Sequence, residues 1–475
     1  MSGRKSELLI VPAIRGNASH ADPEEGRGSR VRELQEGKMK ETSSSGNVST
    51  RLQRIAEQAR QAPGMVWTTL AHHIDVELLH EAHRLTRKDG AAGVDGQTAA
   101  NYAANLEANL QSLLNRFKSG TYRAPPVRRA HIPKGDGHTT RPIGIPTFED
   151  KVLQRAVVMV LGAIYEQDFM PCSYGFRPGW SAHDALQALW DATMKVHGGW
   201  VLEVDIKSFF DTVDHGHLRG MLDLRVRDGV IRRAIDKWLA AGVMESGMVT
   251  YPDEGTPQGG VLSPLLANVY LHEVLDMWFE REVRPQLCGT ATLIRYADDF
   301  VIVFTSEVDA RQVMAELPNR FGAYGLTLHP EKTRLIDFRR PPYGGQGPRG
   351  KSFDFLGFRV HWGKSLKGHW VVKRQTASNR FARALKRVVE WCRFNRHEPV
   401  AKQHVALTQR LNGHYAYYGV TGNWAALSRF RYAVERAWKK WLWRRSARPR
   451  GGWKLFDLIR RRYPLPPARV VRSIY

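Results

Sequence analysis

The sequence predicts an α+β protein in which a sheet region lies between two regions rich in helices. Between residues 199 and 360, short apolar segments such as "WVLEVDI", "LIRYA", "FVIVF" and "FDFLGFRV" alternate with helical stretches, a pattern typical of strands packed with helices. From residue 51 to about residue 200, helical patterns alternate with stretches punctuated by Pro and Gly. After residue 372 the strand patterns stop and helical periodicity continues.

Length and charge narrow the class of protein. A chain of 475 residues is too long for one core and suggests about three structural units. Its net charge of +24 attracts polyanions, nucleic acid before anionic membrane. Residues 371–475 carry 25 Lys and Arg against 4 Asp and Glu, a net charge of +21, which leaves +3 for the rest. The C-terminal region is therefore predicted to bind the polyanion.

Zinc sites, disulfide frameworks and membrane spans are not indicated. The three cysteines are scattered and form no CxxC pair. The longest apolar run, "AVVMVLGAI", is far shorter than the roughly 20 residues of a membrane span. Because the N-terminus lacks a signal-peptide core, the sequence predicts a cytoplasmic protein. Residues 1–50, rich in Gly, Ser, Glu and Arg, are expected to form a disordered extension.

Acidic residues stand at the ends of two apolar strands. Asp205 follows "WVLEV", and Asp298 and Asp299 stand between "LIRYA" and "FVIVF", where a hairpin turn would fall. If the strands are neighbours, Asp205 and Asp298 could hold two Mg²⁺ ions roughly 4 Å apart, with Asp299 as a secondary ligand. The alternative is that Asp205 caps its strand and the Asp pair forms a solvated turn.

Eight sequence blocks, taken in order, resemble the consecutive motifs of group II intron reverse transcriptases. They are "GAAGVDGQT" (90–98), "IPKGDGHTTRPIGIPTFEDKVLQRA" (132–156), "SYGFRPGWSAHDA" (173–185), "VDIKSFFDTVDH" (204–215), "GTPQGGVLSPLLANVYL" (255–271), "RYADDF" (295–300), "GLTLHPEKT" (325–333) and "FDFLGF" (353–358). "LNGHYAYYGVTGN" (411–423) resembles the maturase segment of the same family.

The resemblance implies a right-hand polymerase with a helical thumb. Fingers would occupy residues 51–200, a palm with an antiparallel sheet 201–372, and a basic thumb and maturase region with a short DNA-binding part 373–475. It implies RNA-directed DNA synthesis with two Mg²⁺ ions on Asp205, Asp298 and Asp299. The implied partners are deoxynucleoside triphosphates, an RNA template with a DNA primer, the intron RNA and a DNA target. The implied location is the bacterial cytoplasm, in association with the nucleoid.

The resemblance also assigns side chains around the nucleotide. Lys134 and Arg141 would contact the triphosphate, Phe210 would exclude a ribose 2′-OH, Gln258 would lie beside the nucleotide, and Lys332 could give a proton to pyrophosphate. Each assignment has an alternative. Lys134 and Arg141 could belong to a solvated basic hairpin, and Phe210 could be a core residue. Gln258 could lie in a tight glycine turn without a ligand, and Lys332 could be a surface lysine.

Arginine-rich helical segments of the C-terminal region are predicted to bind RNA. In "SNRFARALKRVVEWCRF" the apolar residues fall on one helical face, and most basic residues fall on the other. Further along, Trp and Tyr alternate with Arg and Lys, which offers both phosphate neutralisation and base stacking. The predicted RNA-binding residues are Arg380, Arg383, Arg387, Arg444, Arg445 and Arg448.

The sequence leaves two other functions open. One is a reverse transcriptase used by its host in phage defence or repair, and the other is an RNA-binding splicing factor whose polymerase is inactive. The three aspartates argue against the second. The sequence after Tyr463 also predicts that the nuclease with His, Asn and Cys ligands carried by some relatives is missing.

Overall fold

The computed structural model describes residues 43–133, 140–245, 247–251, 255, 259–342, 351–365, 367–445 and 453–473. The predicted extension thus lies outside the described residues up to residue 42. From Ser43 the chain is helical, so its last residues differ from the prediction. The helix forms there because Val48 and Ile55 are buried in the core, which offsets the loss of chain entropy.

Helices dominate both ends of the part of the chain that the structure describes. Those before the main sheet are α1 (Ser43–Gln61), α2 (Val76–Leu85), α3 (Ala99–Ala103), α4 (Leu106–Ser119), α5 (Phe148–Asp168) and α6 (Ala182–Lys195). Those within or after the sheet region are α7 (His215–Asp223), α8 (Gly229–Leu239), α9 (Ser263–Leu271), α10 (Glu307–Gly322), α11 (Ser378–Phe394), α12 (Val400–Tyr418), α13 (Trp424–Leu442) and α14 (Trp453–Arg462).

The strands form three sheets within the described ranges. The strands are β1 (Val127–Pro133), β2 (Thr140–Ile145), β3 (Trp200–Asp205), β4 (Val243–Glu245), β5 (Met248–Thr250), β6 (Ala291–Tyr296), β7 (Asp299–Phe304), β8 (Arg334–Asp337), β9 (Phe353–Phe355), β10 (Phe358–Lys364) and β11 (Trp370–Thr376). Their orders are β2-β1-β4-β5, β6-β7-β3-β8 and β11-β10-β9. The α+β class is confirmed.

The described chain divides into two compact units. The first comprises the described parts of Met39–Ala185 and Trp200–Leu335, and the second those of Leu186–Gly199 and Ile336–Tyr475. The predicted limits of fingers, palm and thumb remain predictions.

The first unit is built around one hydrophobic core that includes residues from Val48 to Leu326. Helix α5 buries residues on most of its circumference, among them Val152, Ala156 and Val160, which explains its long apolar run. The side-chain oxygen of Thr147 caps this helix by accepting a hydrogen bond from the Asp150 amide at 3.2 Å. Strand β7 lies between β6 and β3, and every one of its residues is buried, so both faces of this strand are covered.

The second unit packs helices α11–α14 after the β9–β11 sheet. The Trp438 indole donates to the Gln403 side-chain oxygen at 2.9 Å, and the Tyr417 hydroxyl donates to the Leu356 carbonyl at 2.8 Å. Tyr415, Tyr417 and Tyr418 are all buried, so these rings pack the helices. No helix in the described part of the chain has both the length and the apolar character that crossing a bilayer requires.

Candidate active site

The predicted aspartates meet at one end of the central sheet. Strand β3 pairs antiparallel with β7, and the register places Asp205 opposite Asp299. Strand β7 also pairs with β6, with Tyr296 opposite Asp299, so Ala297 and Asp298 form the hairpin turn. Residues that face each other in an antiparallel pair have Cβ atoms only about 4.5–5.5 Å apart. The structure therefore brings together the three residues that the sequence singled out.

The hairpin turn holds a backbone conformation that a side chain disfavours. Ala297 has a φ of 57°, in the left-handed region where a Cβ atom crowds the following carbonyl. Such a conformation costs a non-glycine residue on the order of 1–2 kcal/mol and persists only where the surroundings enforce it. The turn that carries Asp298 is thus fixed by tertiary contacts rather than by local preference.

Lys332 contacts the predicted metal ligand on β3. Its ammonium group lies 2.9 Å from Oδ2 of Asp205. The Asp205 carbonyl accepts a hydrogen bond from the His329 amide at 2.8 Å, and the Lys207 amide donates to the Thr327 carbonyl at 2.8 Å. These backbone hydrogen bonds hold the "HPEK" turn beside the end of β3. They therefore fix the backbone that carries Lys332 next to Asp205.

The carboxylates fit a hard divalent cation, although they do not form a finished cluster. All three are buried, and Oδ1 of Asp205 has no hydrogen-bond partner among the described residues. Within the described ranges, no group of three or more His, Cys, Asp or Glu side chains is arranged closely enough to hold a metal ion. Carboxylates repel one another at ligand distance, and Lys332 here provides the positive charge beside Asp205. Oxygen donors of this kind suit Mg²⁺ or Mn²⁺.

A basic hairpin lies in the same unit as the carboxylates. Arg141 stands on β2 opposite Ile132 of β1, and is half-buried. A Cβ atom on Gly259, whose φ is 113°, would lie 2.6 Å from the Gly144 carbonyl oxygen of β2, so only glycine permits this approach. The glycine loop and the hairpin are therefore in contact. Lys134 and Gln258 lie outside the described residues.

Phe209 and Phe210 are both buried after β3. They lie in a short 3-10 turn, Phe209–Asp211, with ring centroids 5.3 Å apart in an edge-to-face arrangement. Both belong to the hydrophobic core of the first unit. The proposed contact of Phe210 with a sugar remains a prediction, because each ring already has a packing role.

The C-terminal arginines separate into different groups. Arg380 was expected on the basic face of α11, but it belongs with Ala384, Val388 and Cys392 to the buried face of this helix, and its RNA contact stays a prediction. Helical spacing gives the width of a buried face but not its rotation about the axis, and here the face is turned toward Arg380. Arg383 is half-buried, and burial lowers its pKa.

Arg444 and Arg445 are neighbours with different surroundings. Arg444 is exposed, and its guanidinium lies 5.1 Å from the centre of the Trp441 ring. Arg445 instead donates to the carbonyls of Arg396 and Glu398, the latter at 2.6 Å, and desolvation lowers its pKa. Arg445 is thus held by the protein itself. Arg387 is half-buried on α11, and Arg448 lies outside the described residues.

Polar residues other than the predicted ones support the site from within. The Gln154 side-chain oxygen accepts hydrogen bonds from the amides of Val261 and Leu262, at 2.9 and 3.3 Å, and so holds the end of the glycine loop. Arg295 is fully buried and paired with Asp276. An arginine in the middle of the apolar run "LIRYA" was the available signal, since an isolated charge in such a strand requires a buried partner.

Buried carboxylates at the ends of neighbouring strands are an arrangement that suits phosphoryl transfer with divalent metal ions. The family model described as reverse transcriptase (RNA-dependent DNA polymerase) matches residues 132–360. Protein YkfC of Escherichia coli is 34% identical over 318 residues, which cover 60% of this chain and 80% of that protein.

Two further relatives are named after introns. The group II intron-encoded protein LtrA of Lactococcus lactis is 37% identical over 243 residues, covering 49% of this chain and 39% of that protein. Nuclear intron maturase 2, mitochondrial, of Arabidopsis thaliana is 30% identical over 255 residues, covering 44% and 32%. The match spans about two fifths of the Lactococcus protein. The chain belongs to the reverse transcriptase family, and within it to the group II intron reverse transcriptases and maturases.

Proposed function

We propose that this protein is an RNA-directed DNA polymerase that also binds a group II intron RNA and promotes its splicing and mobility. The register pairing of Asp205 with Asp299, with Asp298 in the adjoining turn, is the observation that supports the polymerase most directly. Splicing is proposed from the intron-related family and from the charge of +21 in residues 371–475.

The proposed cofactor is a pair of Mg²⁺ ions. Asp205 and Asp298 would hold them, with Asp299 as a nearby third carboxylate. Such a pair, when bound, stabilises the attacking and leaving oxygens of an in-line displacement at phosphorus. The chain's contribution is to hold the carboxylates at the ends of neighbouring buried strands and to keep Lys332 beside Asp205.

The proposed substrates are deoxynucleoside triphosphates, copied from an RNA template onto a DNA primer. Arg141 on the β1–β2 hairpin, together with Lys134, would neutralise the triphosphate. Gln258 would lie beside the nucleotide and Phe210 beneath its sugar. Lys332, which contacts Asp205, could give a proton to the departing pyrophosphate.

The proposed RNA-binding surface lies on the C-terminal helices. Arg444 and Trp441 offer a cation beside an aromatic face, a combination suited to phosphate and unpaired bases. Arg383, Arg387 and Arg448 are retained as candidate contacts. We propose that residues 51–200 form the fingers, residues 201–372 the palm and residues 373–475 the thumb. The proposed DNA target lies in the bacterial nucleoid.

Primer extension on an RNA template tests the polymerase. Asp298→Asn should reduce DNA synthesis to background, because the amide replaces one anionic metal-binding oxygen. Assisted splicing of the intron RNA should persist, because the RNA surface is remote in sequence from this turn. Asp236→Asn on α8, which alters an exposed ion pair with Arg219 of α7, is the matched control and should leave both activities unchanged.

The outcomes separate the two proposed activities. Full primer extension by Asp298→Asn would remove the proposed metal role of that residue. Loss of splicing together with DNA synthesis, in a variant with an unchanged melting temperature, would show that the two activities share one site.

A further inference from the structure

A fully buried ion pair lies directly behind the hairpin turn that carries Asp298. Arg295 and Asp276 have no exposed side-chain surface. The guanidinium donates from Nε to Oδ1 of Asp276 at 2.8 Å and from Nη2 to Oδ2 at 2.5 Å. This two-point contact fixes the plane of the guanidinium, which a lysine ammonium could not do. Asp276 belongs to the π-helical segment His272–Met277, a geometry that often accompanies functional sites.

The third nitrogen of the same guanidinium contacts the turn itself. Nη1 of Arg295 donates to the carbonyl oxygen of Ala297 at 3.1 Å and to the side-chain oxygen of Asn268 at 3.0 Å. Ala297 is the residue with φ of 57°, and Asp298 follows it. One side chain therefore connects two buried groups on the preceding helix to the strained residue beside the proposed metal ligand.

A backbone segment packs the turn from a second direction. The Arg295 amide donates to the Cys172 carbonyl, and the Tyr174 amide donates to the Arg295 carbonyl, both at 2.8 Å. A Cβ atom on Gly175 would lie 2.3 Å from the Ala297 nitrogen, so this glycine lies directly against the turn. Asn268 donates to the Gly175 carbonyl at 2.7 Å and thereby joins this segment to the guanidinium network.

Stability alone does not account for this arrangement. A buried ion pair is often no more stable than well-packed apolar residues of similar volume, because both charges lose their hydration. What the pair provides is a defined position for its partners. The electrostatic field agrees: burial alone would lower the pKa of Arg295, but Asp276 raises it above the ordinary value, and Asp298 adds in the same direction.

We propose that Arg295 is a positioning residue for Asp298. Its guanidinium, oriented by Asp276 and Asn268, holds the Ala297 carbonyl and with it the turn that presents the Asp298 carboxylate to a divalent cation. This inference rests on the proposed polymerase function. Loss of a residue that orients a metal ligand from behind typically costs about 10–100-fold in metal affinity or activity, and that is the expected effect here.

The test removes the whole pair rather than one partner. Arg295→Met combined with Asp276→Leu leaves no buried charge without its counter-ion, so the fold is expected to survive. The matched control is Arg225→Met combined with Asp168→Leu. Arg225 also holds a carboxylate at two points, at 2.7 and 3.0 Å, and donates to backbone carbonyls, but those of Ala62 and Met65.

Three quantities are measured on the full chain. They are the affinity for Mn²⁺ without nucleic acid, by electron paramagnetic resonance, the rate of primer extension as a function of Mn²⁺, and the melting temperature. In the Arg295 and Asp276 variant, Mn²⁺ affinity should fall about 10–100-fold, and extension should require correspondingly more Mn²⁺. In the control variant only the melting temperature should change. Arg295→Lys, which keeps the buried charge but cannot reach all four acceptor atoms, should show the same defect.

The results distinguish this inference from the proposed function. If the wild-type protein extends primers and the Arg295 and Asp276 variant binds Mn²⁺ with wild-type affinity, Arg295 has no positioning role, although the polymerase stands. An equal loss of Mn²⁺ affinity in the control variant would also overturn the inference, because the effect would then follow from stability. If the wild-type protein does not extend primers, the proposed function fails, and the Mn²⁺ titration still decides the role of Arg295.

Discussion

Replacing Lys332 by Met should make the protein less stable without a divalent cation and more responsive to one. The ammonium is 2.9 Å from Oδ2 of Asp205, and the side chains are 20% and 7% exposed, so the pair is largely but not completely withdrawn from water. The variant leaves the buried Asp205 carboxylate without its ion-pair partner.

The magnitude follows from that environment. Removing one partner of a fully buried pair costs about 3–5 kcal/mol, and an unsatisfied buried hydrogen-bonding group about 1–3 kcal/mol. Because water can reach part of Lys332, we expect the lower figure, about 1–3 kcal/mol. In a domain of this size each kcal/mol lowers the melting temperature by roughly 2–4 °C.

The response to Mg²⁺ has the opposite sign. In the wild-type protein a cation must displace the ammonium group from Asp205, whereas in Lys332→Met it meets an uncompensated carboxylate. A ligand at 100 times its dissociation constant stabilises the folded state by about 2.7 kcal/mol, so tighter binding gives a larger increase at the same Mg²⁺ concentration. Mg²⁺ should therefore raise the melting temperature of the variant by more than that of the wild type.

Differential scanning fluorimetry with and without Mg²⁺ measures both effects. Arg334→Met is the matched control: it removes an ion pair with Glu203, at 2.8 Å, from the same strand β3 but away from the turn. It should respond to Mg²⁺ as the wild type does. An equal Mg²⁺ response in wild type and Lys332→Met would refute the idea that the ammonium and the cation compete for Asp205.

Three further predictions concern other parts of the molecule. Burial raises the pKa of Asp150 to about 7, so the folded state keeps a proton that the unfolded state, with a carboxyl pKa near 3.9, releases. The free energy of unfolding should therefore fall as the pH rises from about 4 to 7. Denaturant titrations should show this slope in the wild type and not in Asp150→Asn. Phe210→Val should raise the incorporation of ribonucleotides in primer extension. Phe209→Val, which also loses core packing, should not raise it. If both variants discriminate equally between ribonucleotides and deoxyribonucleotides, Phe210 does not contact the sugar. Arg444→Gln should reduce the slope of log binding constant for RNA against log salt concentration by about one unit. Arg445→Gln should instead lower the melting temperature, because the backbone carbonyls that accept from Arg445 lose their donor. An unchanged salt slope in both variants would show that the RNA binds elsewhere.

Local sequence was sufficient to locate the carboxylates. Asp205 ends the apolar strand β3, and Asp298 lies in the turn between strands β6 and β7, so the apolar runs mark both positions in the sequence. The order of the motif blocks then predicted that the two strand ends meet, and the register of β3 with β7 confirms this. These features depend on segments of a few residues and on chain order, so the sequence alone carries them.

The partners of these residues were decided only by the tertiary structure. Lys332 contacts Asp205 across 127 positions of sequence, and Arg295 meets Asp276 through the docking of a helix against a strand. Arg380 is buried because α11 is rotated about its axis in a way that 3.6-residue periodicity does not determine. Periodicity specifies which residues share a face, whereas the neighbour of that face is set by packing over the whole unit, because dense cores admit few arrangements of their side chains.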